Sequence, residues 1–531
     1  VWAPRAQADK ADYQQKILTL LRACPQLDLL EDVVTDLSVE NNSIRGLVCK
    51  SAGEIGARAV IVTTGTFLRG LMHTGTDESP GGRFGEPASV ELSASLQRLG
   101  LELDRLKTGT PPRLRMSSLD VSELEAQGGD EPPRPFSWRT RKVANRIVCW
   151  VTRTPQRIQT IIRDNLHRSP LFSGVIEGVG PRYCPSIEDK VVRFPHHAEH
   201  TVFLEPEGLG TESVYVNGLS TSLPVDVQEA VVHAVPGLER AQFLRHGYAV
   251  EYDMVAPGQV GRDLVCRDVP GLGLAGQVLG TSGYEEAAAL GFLAGVNAVL
   301  ASRGEPPLVL ARDEGYMGVL VDDLVLREHV EPYRMFTSRA EHRLLLGVDS
   351  ARERLMADGV RLGLVREEMF HVEHRRWDNR AKVRAALEET RLNPDRETRA
   401  ALRELAGIEL KTPTNWAGVL RRQDVDTDRV AAAAPKLGEL CEEDRRIVVG
   451  SLRYDGYLER HRREVDRVRR LRDVEIPAAF DPRLVPGLSR EIVEQLERHR
   501  PATLADAERL PGMTPAAVAI LSGRIARGRR E

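Results

Sequence analysis

Ala59-Val60-Ile61-Val62-Thr63-Thr64-Gly65-Thr66-Phe67 is a short β-branched strand running directly into a loop of threonines and one glycine. A strand end of this kind is where an open α/β sheet offers its backbone to a ligand. The same residues also suit a plain strand and turn. A second such place lies far downstream, in Pro270-Gly-Leu-Gly-Leu-Ala-Gly-Gln-Val-Leu-Gly-Thr-Ser-Gly-Tyr-Glu-Glu-Ala-Ala-Ala-Leu-Gly291. A literal G-x-G-x-x-G falls on Gly271, Gly273 and Gly276. A dinucleotide fingerprint, however, places its glycines after a strand and at the opening of a helix. Here the first two lie in or before a short strand over 272–275. The helix opens only after Gly280-Thr281-Ser282-Gly283 and runs through Ala298. A glycine loop feeding a helix N-terminus suits an anion, because free N–H groups and the helix dipole point at it. Glycines needed only for close packing are the alternative.

Around these two segments the pattern is mixed. A helix runs through Ala23. Strands are predicted over 28–39, 44–50 and 54–62, and a helix over 90–99. The glycine-rich loop Ser79-Pro80-Gly81-Gly82-Arg83-Phe84-Gly85-Glu86-Pro87 lies between them. Arg105-Leu-Lys-Thr-Gly-Thr-Pro-Pro-Arg113 reads as a second ligand-facing loop, with Lys107, Arg113 and Arg115 supplying positive charge. Residues 116–145, rich in Pro, Ser and charge, read as a loose excursion. From 147 to 244 strands (148–152, 201–204) mix with helices (155–165, 225–234), as in an inserted α+β domain. Beyond 310 amphipathic helical periodicity dominates, over 352–364, 366–387, 395–405 and 442–471, with 424–435 as a linker. A closing helix pair is joined by Leu510-Pro511-Gly512-Met513-Thr514-Pro515.

The 531 residues carry 73 basic and 77 acidic side chains, so no global charge announces a nucleic acid. A nucleic-acid surface must come from local clustering. The helix His461-Arg-Arg-Glu-Val-Asp-Arg-Val-Arg-Arg-Leu-Arg472 is the best candidate, with Arg463, Arg467 and Arg470 as phosphate contacts. A solvated face is its ordinary alternative. Six cysteines, at 24, 49, 149, 184, 266 and 441, form no C-x-x-C pair. That spacing argues against a zinc site or a disulfide framework and suits a reducing compartment. No apolar run is long enough to span a bilayer.

Chemistry concentrates in Gly180-Pro-Arg-Tyr-Cys-Pro-Ser-Ile-Glu-Asp-Lys190. Cys184 stands among Arg182, Glu188, Asp189 and Lys190, between two prolines that restrict the backbone. Nearby positive charge is what brings a thiol toward its thiolate near neutral pH. Cys184 is therefore the candidate nucleophile, with Arg182 and Lys190 as its charge partners. A buried, inert cysteine is the alternative.

Taken together, these segments resemble the tRNA uridine 5-carboxymethylaminomethyl modification enzymes, the MnmG (GidA) family of bacteria. The resembling blocks run in order along nearly the whole chain. They include Arg5-Ala-Gln-Ala-Asp9, Thr63-Thr-Gly-Thr-Phe67, Leu106-Lys-Thr-Gly-Thr-Pro-Pro-Arg113, residues 180–190, Leu204-Glu-Pro-Glu-Gly208, Gly283-Tyr-Glu-Glu-Ala-Ala-Ala289, Gly318-Val-Leu-Val-Asp-Asp323 and Glu331-Pro-Tyr-Arg-Met-Phe-Thr-Ser-Arg-Ala-Glu341. The resemblance implies an α/β fold. A glutathione-reductase-like FAD-binding Rossmann domain (1–105 and 245–310) would carry an inserted NADH-binding α+β domain (106–244). A helical domain (311–435) and a C-terminal helical subdomain that binds tRNA and a partner (436–531) would follow. The first domain is expected to be N-terminally truncated, since no strand–G-x-G-x-x-G–helix precedes Arg5.

The resemblance further implies FAD contacts at Val34, Ser89 and Gln277. It places a nicotinamide-nucleotide segment over Gly180, Pro181, Arg182, Tyr183, Cys184, Pro185, Ser186, Ile187, Glu188, Asp189, Lys190, Val191, Val192, Arg193 and Phe194. It implies FAD and NADH as cofactors, methylenetetrahydrofolate as one-carbon donor, tRNA as substrate, an MnmE-type GTPase as partner, a homodimer joining that GTPase in a heterotetramer, and a cytoplasmic location. The chain departs from the family at Cys149-Trp-Val-Thr-Arg-Thr-Pro155, where a histidine and an asparagine are usual. Two other readings remain. One is a non-catalytic fragment that keeps tRNA and GTPase binding. The other is the folate-dependent flavin tRNA uracil methyltransferase, against which the long segment after Glu331 counts.

Overall fold

The computed structural model describes residues 5–183, 185–472, 474–477 and 479–528. It divides into two compact units. One holds the residues up to 309 with 323–335, and the other holds 310–322 with those from 336 on.

In the first unit the two segments quoted at the outset meet. Val60–Val62 and Leu272–Leu274 pair in parallel, Val60 opposite Leu272 and Val62 opposite Leu274. The helix Tyr284–Ser302 follows, with Glu285 and Glu286 in its first turn, where carboxylates favour the helix dipole. Beside this pair lies an antiparallel sheet of Val34–Glu40, Ser43–Cys49 and Gly53–Gly56. Its hairpin turns on Asn41 and Asn42, both at positive φ, as a two-residue turn requires. The strand expected from residue 28 begins only at Val34. Before it, the Asp32 carboxylate accepts the backbone N–H groups of Ser51 and Ala52, which fixes an irregular corner instead.

A four-stranded antiparallel sheet has the order Asp77–Pro80, Leu71–Thr74, Tyr248–Val255, Leu103–Thr110. A six-stranded sheet follows the order Phe243–Arg245, Arg113–Arg115, Ser213–Asn217, Thr201–Pro206, Cys149–Arg153, Glu125–Gln127. Along its central strands Val202 and Leu204, and Val214 and Val216, alternate inward. They pack against Ile158, Ile162, Val227 and Val231 of the helices Arg157–Asp164 and Val225–His233. This is the α+β body expected from residues 147–244. The stretch 116–145 is less loose than its composition suggests, because Glu125–Gln127 adds an edge strand opposite Cys149–Val151.

The second unit is helical. Its core is built by Val383 and Leu387 of Glu367–Glu389, Trp416 and Leu420 of Trp416–Leu420, and Val448, Val449 and Leu452 of Glu442–Arg453. Two expectations are corrected here. Residues 424–435 are no linker: Val425, Val430, Ala431 and Ala434 are buried in this core, and Thr427–Ala431 is a helical turn capped by Asp426. The single helix expected over 442–471 is two, Glu442–Arg453 and Asp455–Arg472. Tyr454 leaves helical geometry between them (φ −103°, ψ 9°), and Arg384 and Arg421 hold the Asp455 carboxylate there. Among the described residues no helix is long and apolar enough to cross a membrane.

Candidate active site on two faces of one sheet

The strand Tyr248–Val255 organises the first unit's candidate site. Neighbouring side chains on a strand point to opposite faces, and both faces of this one are covered. One face is charged. Across the sheet Glu251 stands opposite Lys107, and Asp253 opposite Arg105. Asp253 accepts from Arg105 and Arg69 at 3.0 Å each and from the Ser93 hydroxyl at 2.5 Å. Glu251 Oε2 lies 2.9 Å from His73 Nε2. Its Oε1 accepts the backbone N–H groups of Glu177 (2.9 Å) and Gly178 (2.6 Å). Burial would raise the Glu251 carboxyl, but His73, the Gly178 amide and Arg105 together hold it below the usual carboxylate range.

Those two amides open the loop that leads into residues 180–190. The loop lies against the strand Leu103–Thr110, where Lys107 N–H donates to the Val179 carbonyl (3.1 Å). A Cβ on Gly178 would stand 2.8 Å from the Leu106 carbonyl carbon, so only glycine fits that approach. The far side of the segment is held as well. The Ser186 side chain caps the helix Ile187–Arg193, Ile187 N–H donates to the Ser220 carbonyl, and the buried Glu188 accepts from Ser222 N–H at 3.0 Å. Burial pushes the Glu188 carboxyl above its ordinary value, and its second oxygen has no hydrogen-bond partner among the described residues.

Of the residues expected to serve Cys184, Arg182 is exposed, with its guanidinium 5.9 Å from the Tyr183 ring. Lys190 donates to the Gly218 carbonyl at 2.9 Å. Cys184 itself lies outside the described residues. Within the expected nicotinamide segment, Ile187 and Val191 belong to the core of the six-stranded sheet, whereas Tyr183, Val192 and Phe194 are exposed. Two other thiols are pushed toward the protonated form. Burial, with Glu205 nearby, raises the Cys149 thiol, and burial takes the Cys266 thiol up to about 12.

The opposite face of the strand is apolar and turns toward the other loop. Leu106, Tyr252 and Met254 form a buried cluster. A Cβ on Gly280 would come within 3.0 Å of Met254 Sδ, and Gln277 reaches the Tyr252 hydroxyl at 3.5 Å. Gly65, at φ +57°, approaches Gln277 Oε1. Ser89 joins the same place, its N–H donating to the Phe67 carbonyl. The hydroxyls of Thr64 and Thr281 are buried with no hydrogen-bond partner among the described residues. Ser89 and Gln277 thus both border the 64–67 loop, while Val34 stands on the three-stranded sheet opposite Cys49.

In the helical unit, the arginine-rich helix is partly neutralised. Arg463 pairs with Glu459, and Arg467 with Glu464 and Glu508. Arg469 and Arg472 share Asp313. Arg462 and Arg470 are exposed and form no ion pair among the described residues. Sequence reasoning missed Glu251, His73 and Asp253. The available signal was the alternation in Tyr-Ala-Val-Glu-Tyr-Asp-Met-Val, where two carboxylates share one face of an otherwise apolar strand.

Comparison with known proteins gives this arrangement a family. The model for glucose inhibited division protein A matches residues 1–306. Those for the C-terminal helical domain and C-terminal helical bundle of the tRNA modifying enzyme MnmG/GidA match 367–462 and 464–531. The tRNA uridine 5-carboxymethylaminomethyl modification enzyme MnmG of Thermodesulfovibrio yellowstonii is 45% identical over 522 residues, spanning 98% of this chain and 84% of that protein. Its namesake in Syntrophotalea carbinolica is 47% identical over 524 residues, with the same coverage. The solved structure of Aquifex aeolicus GidA superposes with a TM-score of 0.88 at 38% identity, covering 98% of this chain and 84% of that one. The mixed α/β unit followed by helical domains is therefore the architecture of a known group: the chain belongs to the MnmG/GidA family of tRNA-modifying enzymes.

Proposed function

We propose that this chain modifies the wobble uridine of tRNA at C5, adding a carboxymethylaminomethyl or related aminomethyl group. The reaction would use methylenetetrahydrofolate as the one-carbon donor, FAD and NADH as redox cofactors, and a GTPase partner of the MnmE type. The observation that carries this reading is the segment 180–190, held at entry by Glu251 and at exit by Glu188. A nucleophile must be aimed at C6 of a base drawn out of its stack, and a loop fixed at both ends can aim it.

C5 of uracil is a poor nucleophile. Addition of the Cys184 thiolate at C6 would form a C–S bond and move the ring electron pair onto the C4 oxygen. C5 then attacks the methylene carbon of the folate iminium, whose C=N electron pair passes to the folate nitrogen; the amine later forms its C–N bond at that methylene as tetrahydrofolate leaves. Loss of the C5 proton and departure of the thiolate restore the ring.

FAD fits the opposite face of the sheet. Two hydroxyls, Thr64 and Thr281, are buried with no hydrogen-bond partner among the described residues, in the loops that follow two parallel strands and also carry Gly65 and Gln277. Thr281, Gln277 and the backbone at Gly65 would hold it, and when bound it would supply two-electron redox chemistry. The exposed Tyr183 and Phe194 and the backbone around them would meet the nicotinamide nucleotide. We place the Rossmann-type FAD domain, the inserted domain over 106–244 and the helical tRNA- and partner-binding region as the family resemblance implies.

The deciding experiment replaces Cys184 by Ser and measures the modified nucleoside in tRNA together with tRNA affinity. Loss of modification with binding retained is expected. Normal modification by Cys184→Ser would sink the reading.

A further inference from the structure

In the helical unit a cleft of about 450 Å³ opens between the helix Asp455–Arg472 and two other stretches, 341–342 and 508–509. Small-molecule sites are clefts of about 300–1,000 Å³ with a few fixed polar groups. The charges lining this one cancel in number, since Glu341, Glu464 and Glu508 stand against Arg460, Arg467 and Arg509. Their engagement is unequal. Arg312 holds both oxygens of Glu341 at 2.8 Å. Arg467 bridges Glu464 and Glu508 at 2.8 and 3.0 Å. Arg509 donates to Asp322 and Asp506, yet its Nε is buried with no hydrogen-bond partner among the described residues. Arg460 is exposed and forms no ion pair among the described residues. Beside it His461 meets His342 edge to face, with ring centroids 6.0 Å apart. His342 is only 4% exposed, and its Nδ1 has no hydrogen-bond partner among the described residues. A buried polar atom left unpaired has lost water without gaining a partner, which is costly. The acids of the cleft are thus engaged by arginines, and the groups left over are a guanidinium and two imidazoles. What the cleft lacks is an acceptor.

We propose that this cleft binds a phosphate group, held by Arg460, His461 and His342. Arginine presents a planar fork of N–H donors that matches phosphate oxygens. The two imidazole planes stand 87° apart, so their nitrogens address an acceptor from different directions. A carboxylate offers two oxygens in one plane, whereas a phosphate offers oxygens around a tetrahedron and suits donors arranged in this way. Two sources share this chemistry. One is the terminal phosphate of a free nucleotide entering the cleft, for which the volume is adequate. The other is a backbone phosphate of RNA lying across its mouth. The site is independent of the thiol-bearing loop and of the reading given to it above.

The test reads the cleft directly. The full chain is treated with diethyl pyrocarbonate in a phosphate-free buffer, and modification of His461 is quantified by peptide mass spectrometry. The probes are inorganic phosphate, uridine 5′-monophosphate, and a short single-stranded RNA without terminal phosphates. A ligand at about ten times its Kd fills the cleft, so modification of His461 should slow about tenfold. Arg460→Gln removes an exposed, unpaired side chain and leaves the fold intact. It should raise the half-protecting concentration about tenfold, the effect of losing one charge-assisted hydrogen bond. Arg463→Gln is the control, because Arg463 lies on the same helix but pairs with Glu459 and does not line the cleft. It should leave protection unchanged. Protection by phosphate or the monophosphate identifies a free ligand, and protection by the RNA alone identifies the backbone; either upholds the site. No protection by any of the three overturns it, as does protection that Arg460→Gln leaves unchanged or that Arg463→Gln weakens equally. Failure here leaves the proposed function standing, since that is decided by tRNA modification in Cys184→Ser.

Discussion

Glu251 Oε1 accepts the backbone N–H of Gly178 at 2.6 Å, so a carboxylate on a sheet strand holds the start of the loop that carries the candidate nucleophile. Hydrogen bonds to an ionised acceptor are worth roughly 1.5–3 kcal/mol, more than neutral ones. Glu251→Gln keeps the shape and removes the charge. Amide hydrogen exchange at Glu177 and Gly178 should quicken, and kcat for tRNA modification should fall by about tenfold or more, since misplacement of a reacting group is costly. The KM for tRNA should stay within about twofold. Wild-type exchange at those amides in Glu251→Gln would show that the carboxylate does not hold the loop.

Glu188 contributes a stability that falls as pH rises. Its folded pKa is raised by burial above an unfolded value of about 4.3, so the folded state binds the extra proton. Its contribution is intact below that unfolded value and is lost as pH rises through the folded pKa. Glu188→Gln, which cannot ionise, should lose this dependence. Denaturant midpoints measured from pH 4 to pH 8 should decline less in Glu188→Gln than in the wild type. Parallel declines would mean that Glu188 titrates as it does when unfolded.

The arginine-rich helix should divide its labour. Arg467 is held by two carboxylates, so Arg467→Glu should chiefly lower the stability of the helical unit. Arg462 and Arg470 have no such partners among the described residues. The double variant Arg462→Glu, Arg470→Glu should weaken tRNA binding and reduce the log–log salt slope by about two units. Binding isotherms from 50 to 300 mM salt decide this, and an unchanged slope would assign those arginines to another surface.

Thr281 offers a direct check on the flavin face. Its hydroxyl is buried without a partner among the described residues, so Thr281→Val should leave the thermal midpoint of the flavin-free protein nearly unchanged. If FAD supplies the missing partner, flavin affinity should drop about fivefold to tenfold, the worth of one hydrogen bond. Titration followed by flavin fluorescence measures it. Equal affinity in both proteins would remove Thr281 from the site.

Much of this was legible in the residues. The two strands Val60–Val62 and Leu272–Leu274 were readable from the β-branched run and its glycine-flanked counterpart, although their parallel pairing was not, and the misplaced G-x-G-x-x-G was recognisable from the order of strand and helix. Residues 424–435 misled because charges followed by four alanines and a proline look like a linker, while burial of Val425 and Val430 depends on distant helices. The arginines over 462–472 looked alike because a sequence does not show which carboxylates fold back on them. Glu251 escaped notice for a related reason: its partners lie at residues 73 and 177–178, and only the sheet register brings them together.

That register has one more consequence. Glu251 and Tyr252 are consecutive, yet the first serves the thiol-bearing loop and the second the 276–280 loop. A single inserted or deleted residue between 248 and 255 would turn each toward the other's neighbour. The two chemistries therefore cannot drift apart in evolution by sliding this strand. Substitutions that tune one face must be made one side chain at a time, and length changes in the family should collect in the connections at either end, never inside it.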